Sequence, residues 1–501
     1  MNKGKQLGKT GQKLAESVEQ RDLAEGNAQG SPTDGTLSPR KVSCGLLGVR
    51  EAAYRDKNLR FTALLHHVTV QLLRESYMAL KREAAPGVDG VTWGGYQDGM
   101  EDRLRSLHER IHKGTYRAQP SKRTRIPKED GRERKLGIAC LEDKIVQKAI
   151  VTVLNCIYEE DFKGFSYGFR PGRSQHQALD ALYVGLTARP INWVLDLDIR
   201  GYFDNIQHDW LVRFLEHRIG DKRVIRLIRK WLRVGVLDEG QWLHTEAGSP
   251  QGAVISPLLS NIYLHYVFDL WAERWRQQQC QGAMIMVRFA DDILTGHQRS
   301  EEAIRFQSEL EERLKQFGLQ LNPEKSRRIE FGRYATSNRA RLGKGKPETF
   351  DFLGFTHICS RTRKGRFTIR RKTKVKRRRA KLQEIKKDLR SRMHESVPET
   401  GKWLRSVLQG YYQYFAVPYN LNSLISLRYQ VARAWIRMLR RRSQKARKSM
   451  TWEKFKRISE IWLPKPRVLH PWPSVRFRRY YPRQEPYAVI PHVRIRTGGA
   501  S

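Results

Sequence analysis

Apolar residues recur three or four positions apart in several long segments of the chain, which is the spacing of one helical face. The first segment, 58–85, ends at "PGVDG", a sequence typical of a turn. Its apolar face consists of Leu64, Leu65, Val68, Leu72 and Leu73. Two further segments, roughly 97–113 and 141–162, carry the same spacing. The pattern therefore predicts three helices in the first third of the chain.

The middle of the chain, 190–360, alternates short apolar runs with amphipathic ones. The predicted strands are "NWVLDLDI", "MIMVRFADDILTG" and "FDFLGFTHI". The predicted helices are "HDWLVRFLEHRI" and "EEAIRFQSELEERLKQFG", the second with Gly318 as its C-cap. Upstream, "RTRIPKEDGRERKLGIA" predicts strand, turn and strand, with "EDGR" as the turn. This alternation indicates an α+β fold in which helices pack on one sheet.

Composition divides the chain further. The stretch 1–50 contains no aromatic residue, since the first is Tyr54, and predicts a flexible tail. The remaining boundaries follow changes of pattern and charge. We expect an N-terminal extension with a first domain at 51–190, a second domain at 191–360, a basic helical region at 361–460 and an extended basic arm at 461–501.

Charge is the strongest global signal. The chain has 95 Lys and Arg residues against 52 acids, a formal net charge of +43 and a pI near 10.3. In 361–390 sixteen of thirty residues are basic, and a second basic run, "RMLRRRSQKARK", occupies 437–448. Clustered positive charge of this size indicates a polyanion partner, usually nucleic acid. A soluble basic enzyme without such a partner is the alternative.

The sequence predicts a cytoplasmic protein. There is no apolar run long enough to cross a membrane, and the N-terminus lacks the apolar centre of a secretory signal. The five cysteines are far apart and form no CxxC pair, which argues against a disulfide framework or a zinc ribbon.

Two acidic motifs interrupt the apolar middle of the chain. In the strand "NWVLDLDI", alternation places Asp196 and Asp198 on one face, and Asp291 and Asp292 stand together at the expected tip of a hairpin. Like charges this close repel each other unless a cation neutralises them. Each motif alone could be a turn or a loop cap. Together they predict a cluster for Mg²⁺, of which two ions can activate a 3′-hydroxyl and stabilise a leaving pyrophosphate.

These motifs resemble those of the reverse transcriptases encoded by bacterial group II introns. "RFADDILTG" and "DIRGYFDNI" are similar to the catalytic motifs of that family. The similar blocks run from about residue 58 to 460 and include "RTRIPKEDGRERKLGIACLEDKIVQKAI", "SYGFRPGRSQHQAL", "GSPQGAVISPLLSNIYL", "GLQLNPEKS" and "FDFLGF". The resemblance implies a right-hand polymerase with fingers, palm and a basic, helical, maturase-like thumb. The paired cysteines of an HNH endonuclease are missing after Cys359, so we expect no such domain.

The resemblance also implies roles for particular residues. Asp198, Asp291 and Asp292 match the catalytic acids and the ligands of two Mg²⁺ ions, for which Mn²⁺ could substitute, while Asp196 shares the face without matching a ligand. Phe203 matches the ring that crowds the sugar 2′-carbon, although a core position explains it as well. The remaining expected contacts to the deoxynucleoside triphosphate (dNTP) are Lys128, Arg134, Gln251, Gly252 and Lys325.

Nucleic-acid contacts are expected on "FLGF" and on the basic region. The resemblance implies a primer grip at Phe352 and Gly354, where core packing is an equal explanation. The basic candidates for phosphate contacts are Lys372, Lys374, Lys376, Arg377, Arg378, Arg379, Arg440 and Arg441. The aromatic block of Tyr411, Tyr412, Tyr414 and Phe415 could stack on bases or pack between helices.

One further motif, "HERIH" at 108–112, fits the short pattern of a zinc protease. We interpret it as chance, because no third ligand with suitable spacing accompanies it.

The sequence therefore favours an RNA-directed DNA polymerase that binds intron RNA, assists splicing and copies the intron during retrohoming. The expected partners are intron RNA, an RNA template, a DNA primer or target DNA, and dNTPs, with no membrane. The oligomeric state stays open, with a dimer among the alternatives. Two other hypotheses remain: a splicing factor with a vestigial polymerase, and a domesticated reverse transcriptase in phage defence.

Overall fold

The computed structural model describes residues 44–127, 133–238, 241–243, 247–248 and 252–480. Helices and short sheets alternate along them, as the sequence predicts for an α+β chain. The strands are β1 (Ser121–Pro127), β2 (Glu133–Ile138), β3 (Trp193–Asp198), β4 (Val236–Asp238), β5 (Gln241–Leu243), β6 (Met284–Phe289), β7 (Asp292–His297), β8 (Arg327–Glu330), β9 (Phe350–Phe352), β10 (Phe355–Arg361) and β11 (Phe367–Thr373).

The helices before the central strands are α1 (Cys44–Arg55), α2 (Val70–Met78), α3 (Trp93–Gln97), α4 (Met100–His112), α5 (Leu141–Asp161) and α6 (Gln175–Ala188). The helices that follow β3 are α7 (His208–Arg218), α8 (Lys222–Arg233), α9 (Ser256–Leu264), α10 (Leu270–Gln278), α11 (Ser300–Gln316) and α12 (Ala335–Arg341). The C-terminal helices are α13 (Val375–Ser391), α14 (Val397–Phe415), α15 (Leu421–Arg440), α16 (Gln444–Ser449), α17 (Trp452–Trp462) and α18 (Pro473–Tyr480). None of these described helices is long and apolar enough to cross a membrane.

The central sheet has the strand order β6-β7-β3-β8, and all its pairs are antiparallel. The predicted strand "MIMVRFADDILTG" is a hairpin, β6 and β7, and "NWVLDLDI" is β3. The predicted helices at 208–219 and 301–318 are confirmed as α7 and α11. The C-cap of α11 is Phe317 and not Gly318 as predicted; Gly318 follows it in a left-handed conformation (φ 72°), a position where glycine is common.

The expectation of one sheet is wrong, because the described residues form three. The second sheet has the order β2-β1-β4-β5 and contains the predicted "RTRIPKEDGRERKLGIA" hairpin, whose turn lies outside the described residues. The third has the order β11-β10-β9. It divides "FDFLGFTHI" into two strands because Leu353 and Gly354 both take positive φ (45° and 78°) and turn the chain.

The helix predicted over 58–85 is shorter than its pattern. The helix α2 begins only at Val70, after Thr69 caps it by accepting a hydrogen bond from the Leu72 N–H (3.1 Å). Before that cap, the Asp221 carboxylate accepts hydrogen bonds from the N–H groups of Leu64 and Leu65, both at 2.9 Å. A distant side chain thus takes the donors that a helix would use, and a single 3₁₀ turn forms there instead. The helices predicted at 97–113 and 141–162 are confirmed as α4 and α5.

Both ends of the predicted layout need correction. Residues 44–50 of the predicted flexible tail lie in α1, which packs on α5 through buried Leu46, Val49 and Ala53; residues 1–43 lie outside the described part. The extended arm predicted at 461–501 is wrong for 461–462, which end α17, and for 473–480, which form α18 packed on α6. The absence of aromatic residues suggested a flexible tail, but α1 packs through apolar residues that have no aromatic ring. The proline of α18 suggested an extended arm, but it stands at the first position of the helix, where proline is tolerated.

Candidate active site

The two acidic motifs meet in the central sheet. The strand β3 pairs with β7 in a register that sets Asp198 directly opposite Asp292. Asp196 lies two residues before Asp198 on the same face, opposite Leu294 on one side and Arg327 on the other. Asp291 occupies the adjoining turn between β6 and β7. The sequence prediction that the two motifs come together is confirmed by this register.

The turn that presents Asp291 is held in an unusual backbone conformation. Ala290, buried within it, has φ 55°, a left-handed value that costs an L-residue roughly 1–2 kcal/mol. The chain at Gly168 lies directly against this turn, since a Cβ atom there would come 2.2 Å from the Ala290 nitrogen. Only glycine permits that approach, so the 165–168 segment supports the turn.

A buried arginine fixes the hairpin from beneath. Arg288 in β6 is fully buried and donates to both carboxylate oxygens of Asp269 at 2.7 and 2.5 Å. It also donates to the Asn261 side-chain oxygen and to the Ala290 carbonyl oxygen, each at 3.0 Å. Asp269 ends a π turn that joins α9 to α10, and such turns occur often at functional sites. Asn261 in turn donates to the Gly168 carbonyl oxygen at 2.7 Å.

Asp198 is held by the segment that precedes β8. The Asn322 side-chain nitrogen donates to Asp198 Oδ2 at 3.2 Å, and Lys325 Nζ lies 3.3 Å from the same oxygen. The Asp198 N–H donates to Ser326 Oγ at 3.2 Å. Lys325, expected as a phosphate contact, is therefore placed at a candidate catalytic carboxylate.

The concentration of carboxylates changes their acidity. The protein packed around Asp292, and then the like charges of Asp291, Asp198 and Asp196, raise its pKa to about 7, while Lys325 opposes the rise. Asp292 nevertheless keeps solvent-exposed surface, so a cation in solution can reach it. Burial raises the pKa of Asp196 to about 6, and Arg327, 3.5 Å away, partly offsets this. Negative charge at this point is unfavourable without a further cation.

This donor set fits a divalent cation by its chemistry. Carboxylate oxygens are the ligands that Mg²⁺ prefers, and the raised pKa of Asp292 marks a place where positive charge would be stabilising. Within the described residues, no three His, Cys, Asp or Glu side chains stand close enough together to hold an ion as they are. The ligand oxygens would therefore have to converge further on binding.

Besides Lys325, the predicted nucleotide contacts Phe203 and Gly252 lie within the described residues. Phe203 is half-buried in the 3₁₀ turn that follows β3, with its ring edge-on to Tyr202 at 5.2 Å. Gly252 is exposed with φ 105°, and a Cβ atom there would come 2.8 Å from the Gly137 carbonyl oxygen in β2. Lys128, Gln251 and the side chain of Arg134 lie outside the described residues.

The predicted primer grip is part of the third sheet. Phe352 is buried in the core, which agrees with the alternative that this ring serves packing. Gly354 (φ 78°) turns the chain beneath the Arg377 guanidinium, and a Cβ atom on this glycine would clash with that group. Tyr414 donates to the Leu353 carbonyl oxygen at 2.7 Å. The rings of Tyr411, Tyr412 and Phe415 are buried too, so the aromatic block packs between helices.

The basic candidates divide into engaged and solvent-facing side chains. Lys374 lies 3.4 Å from Asp351, and Arg440 donates to the Met450 carbonyl oxygen at 2.8 Å. Arg378 is half-buried. The exposed candidates are Lys372, Lys376, Arg379 and Arg441.

In the "HERIH" helix α4, His112 Nε2 lies 3.1 Å from the Val68 carbonyl oxygen and Glu109 pairs with Lys113, which are ordinary structural contacts.

Comparison with known proteins identifies the family. Residues 126–357 match the family described as reverse transcriptase (RNA-dependent DNA polymerase). Protein YkfC of Escherichia coli is 35% identical over 291 residues, which cover 50% of this chain and 76% of YkfC. The group II intron-encoded protein LtrA of Lactococcus lactis is 39% identical over 166 residues, 33% of this chain and 27% of LtrA.

The chain belongs to the reverse transcriptase family, and its relatives include group II intron-encoded proteins. A putative COX1/OXI3 intron 2 protein of Saccharomyces cerevisiae is 32% identical over 209 residues, 41% of this chain and 24% of that protein. The aligned region thus spans about a quarter of the length of LtrA and of the yeast protein. The recognition made from the motifs and the enzyme class are confirmed at the level of the family.

Several residues of this reverse transcriptase site were missed by sequence reasoning. They are Gly168, Asn261, Asp269, Arg288 and Asn322, which orient the acidic residues. One signal was available: Arg288 interrupts the apolar strand "MIMVRF", and a charge in such a strand requires a buried partner. Nothing in the sequence says that the partner is Asp269, because helix and strand meet only in the folded chain.

Proposed function

We propose that this chain is an RNA-directed DNA polymerase that binds group II intron RNA, assists its splicing and copies it into DNA during retrohoming. The observation that carries the proposal is the register of β3 and β7, which sets Asp198 opposite Asp292 with Asp291 in the adjoining turn. Three acids at one end of two paired strands, in a chain of net charge +43, match what nucleotidyl transfer on a nucleic-acid template needs.

The proposal assigns residue ranges of the chain to the parts of a right-hand polymerase. Residues 51–190, with the β1–β2 hairpin, would form the N-terminal extension and fingers. Residues 191–360, with the central sheet, would form the palm, and 361–460 the thumb with the maturase surface. Gly252 supports the assignment, because its backbone lies against β2. The proposed palm and the proposed fingers therefore contact each other at this glycine.

Asp198, Asp291 and Asp292 would hold the divalent ions, two Mg²⁺ in the proposal. When bound there, such an ion lowers the pKa of the primer 3′-hydroxyl and stabilises the leaving pyrophosphate. The chain's own residues prepare the site for this. Lys325 and Asn322 hold Asp198 in place, and the Arg288 network fixes the turn that carries Asp291.

Nucleotide selection would rest on side chains around this cluster. The Phe203 ring is held edge-on to Tyr202, whose hydroxyl donates to the Ser260 carbonyl oxygen at 2.7 Å, so the ring has little freedom to yield. A ring in that place excludes a ribonucleotide by its 2′-hydroxyl. Gly252 would let the backbone approach the incoming dNTP. Lys128, Arg134 and Gln251 complete the proposed dNTP contacts.

The basic surface would bind the phosphates of intron RNA, template and DNA primer or target. Exposed Lys372, Lys376, Arg379 and Arg441 are suited to this, since such contacts give affinity that falls with salt and depends little on sequence. The aromatic block of α14 would form part of the hydrophobic core beneath that surface.

The test separates copying from splicing in one preparation. Purified full-length chain is assayed for primer extension on an RNA template with Mg²⁺ and dNTPs, and for splicing of its intron RNA, alongside Asp292→Asn. The account expects extension to be lost in the variant and splicing to be retained. Splicing without extension in the native chain would contradict the polymerase and support the splicing-factor hypothesis.

A further inference from the structure

An open groove of about 640 Å³ lies between the third sheet and the start of α15. Its polar lining includes Arg370, Lys372, Arg378, Tyr419, Asn422 and Ser423. None of its lining residues belongs to the central sheet, so the groove is distinct from the candidate active site. The volume lies within the range that small-ligand sites occupy in proteins.

Three positive charges converge on the groove without acidic partners. Arg370 and Lys372 are two residues apart on β11, so their side chains leave the same face, opposite Ile358 and Thr356. Arg378 enters from α13. None of these three lies within 4 Å of a carboxylate in the described part of the chain. The nearby Asp351 is already engaged, because it accepts from Thr356 Oγ1 at 2.5 Å and lies 3.4 Å from Lys374.

Tyr419 supplies an aromatic surface in an unusual place. Its φ of 71° lies in the left-handed region, which a bulky residue rarely adopts. The next residue, Asn420, is buried and fixes this bend, since it accepts from the Thr373 N–H at 2.9 Å and donates to the Phe415 carbonyl oxygen at 2.8 Å. The Tyr419 ring lies edge-on to Trp472 at 5.1 Å, and the Arg370 guanidinium is 5.8 Å from its centre. A strained tyrosine at a site of unpaired positive charge indicates a ligand.

We propose that this groove binds one unpaired nucleotide of the RNA that the protein carries. Arg370, Lys372 and Arg378 bind its phosphates, and the base stacks on Tyr419. Asn422 and Ser423 also line the groove, and their side chains can both donate and accept hydrogen bonds, as recognition of a base edge requires. The proposal rests on the proposed function for its RNA partner. A free mononucleotide presents the same phosphate and base, so the test must distinguish the two sources.

The test uses the full chain and a short unstructured RNA oligonucleotide that contains one 2-aminopurine, whose fluorescence falls when it stacks on a ring. Binding is titrated over a series of KCl concentrations for the native chain and for Arg370→Gln/Lys372→Gln. The matched control is Arg363→Gln/Lys364→Gln, which removes two exposed charges from the far turn of the same sheet.

The expected result is specific to the groove. Loss of Arg370 and Lys372 weakens RNA binding roughly tenfold and lowers the slope of log affinity against log salt by about 1.4, whereas the control pair changes affinity less than about twofold. Equal effects of the two pairs would overturn the proposal, because the binding would then be diffuse. A native chain that binds no RNA would instead contradict the proposed function.

Tyr419 gives an independent readout. Tyr419→Asn removes the ring, and asparagine tolerates the left-handed backbone, so the fold is retained; Tyr419→Phe keeps the ring. The proposal expects quenching to disappear in Tyr419→Asn and to remain in Tyr419→Phe, with affinity reduced roughly fivefold or more in the first alone. Unchanged quenching in Tyr419→Asn would overturn it. Tighter binding of adenosine monophosphate than of the RNA would also overturn the proposal, since the occupant of the groove would then be a free nucleotide.

Discussion

Arg288 and Asp269 form a fully buried ion pair beneath the hairpin that carries Asp291 and Asp292. The guanidinium donates to both carboxylate oxygens and also to the Ala290 carbonyl oxygen, so the pair is connected directly to the turn. A buried pair is costly to break, because the remaining charge has no water around it. The acidic turn is therefore positioned by a buried ion pair that binds its backbone at Ala290.

Asp269→Asn should destabilise the protein by about 3–5 kcal/mol, because it leaves the Arg288 charge buried without its partner. The midpoint of urea unfolding measures the change. The matched control is Glu216→Gln, which breaks the exposed pair with Arg229 and should cost less than about 1 kcal/mol. Similar shifts for both variants would mean that Arg288 finds another partner and that the pair does not position the hairpin.

Gly252→Ala should raise the KM for dNTPs several-fold. The left-handed backbone (φ 105°) disfavours alanine by about 1–2 kcal/mol, and its Cβ atom would come 2.8 Å from the Gly137 carbonyl oxygen. The control is Gly410→Ala in α14, where nothing lies within 4 Å and helix propensity should add about 0.5–1 kcal/mol of stability. Steady-state kinetics of primer extension decide the point: an unchanged KM in Gly252→Ala would remove this glycine from the nucleotide site.

Phe203→Ala should weaken the discrimination against ribonucleotides. With the half-buried ring removed, space opens for a 2′-hydroxyl, and kcat/KM for ribonucleotides relative to deoxynucleotides should rise at least about tenfold. Phe203→Tyr keeps the ring and should keep the discrimination. Single-nucleotide incorporation with each substrate gives the ratio. If Phe203→Ala lowered both activities equally, the ring would be a core element only.

Asp143 should make stability depend on pH. It is buried, accepts hydrogen bonds from the Tyr116 hydroxyl and from the Gln119 N–H, and burial raises its pKa to about 6. The folded protein then holds a proton that the unfolded chain has lost above about pH 4, so this contribution to stability falls as pH rises from about 4 to 6, by about 3 kcal/mol. Asp143→Asn should remove that decline in urea unfolding across this range. A parallel pH profile in native and variant would contradict it.

The sequence predicted the candidate site correctly where the functional residues follow a local pattern. Alternation placed Asp196 and Asp198 on one face of β3, and the adjacent acids at 291 and 292 predicted a hairpin tip, so the pairing of the two strands followed. What it could not supply were contacts made only on folding. The Arg288 partners lie 19 and 27 residues away in the chain, on helices whose orientation the sequence leaves open.

Local pattern also failed where tertiary contacts overrode it. The predicted helix at 58–85 loses its first turns because Asp221, more than 150 residues away, takes the N–H groups of Leu64 and Leu65. Residues 473–480 belong to the segment predicted as an extended arm because it is rich in Pro, Arg and Trp. There Arg476 pairs with buried Asp180 of α6 and anchors α18. In both places the contact comes from a carboxylate far away in the chain, which a local pattern does not include.

The most direct test of the account is primer extension on an RNA template by Asp291→Asn, compared with the native chain and with the exposed isosteric control Asp102→Asn. RNA affinity is measured on the same preparations. Asp291→Asn is expected to lower the rate of synthesis at least about a thousandfold, while RNA binding in all three proteins agrees within about twofold. Near-native synthesis by Asp291→Asn, or a loss of RNA binding that parallels the loss of synthesis, would contradict the assignment of the hairpin as the site of chemistry.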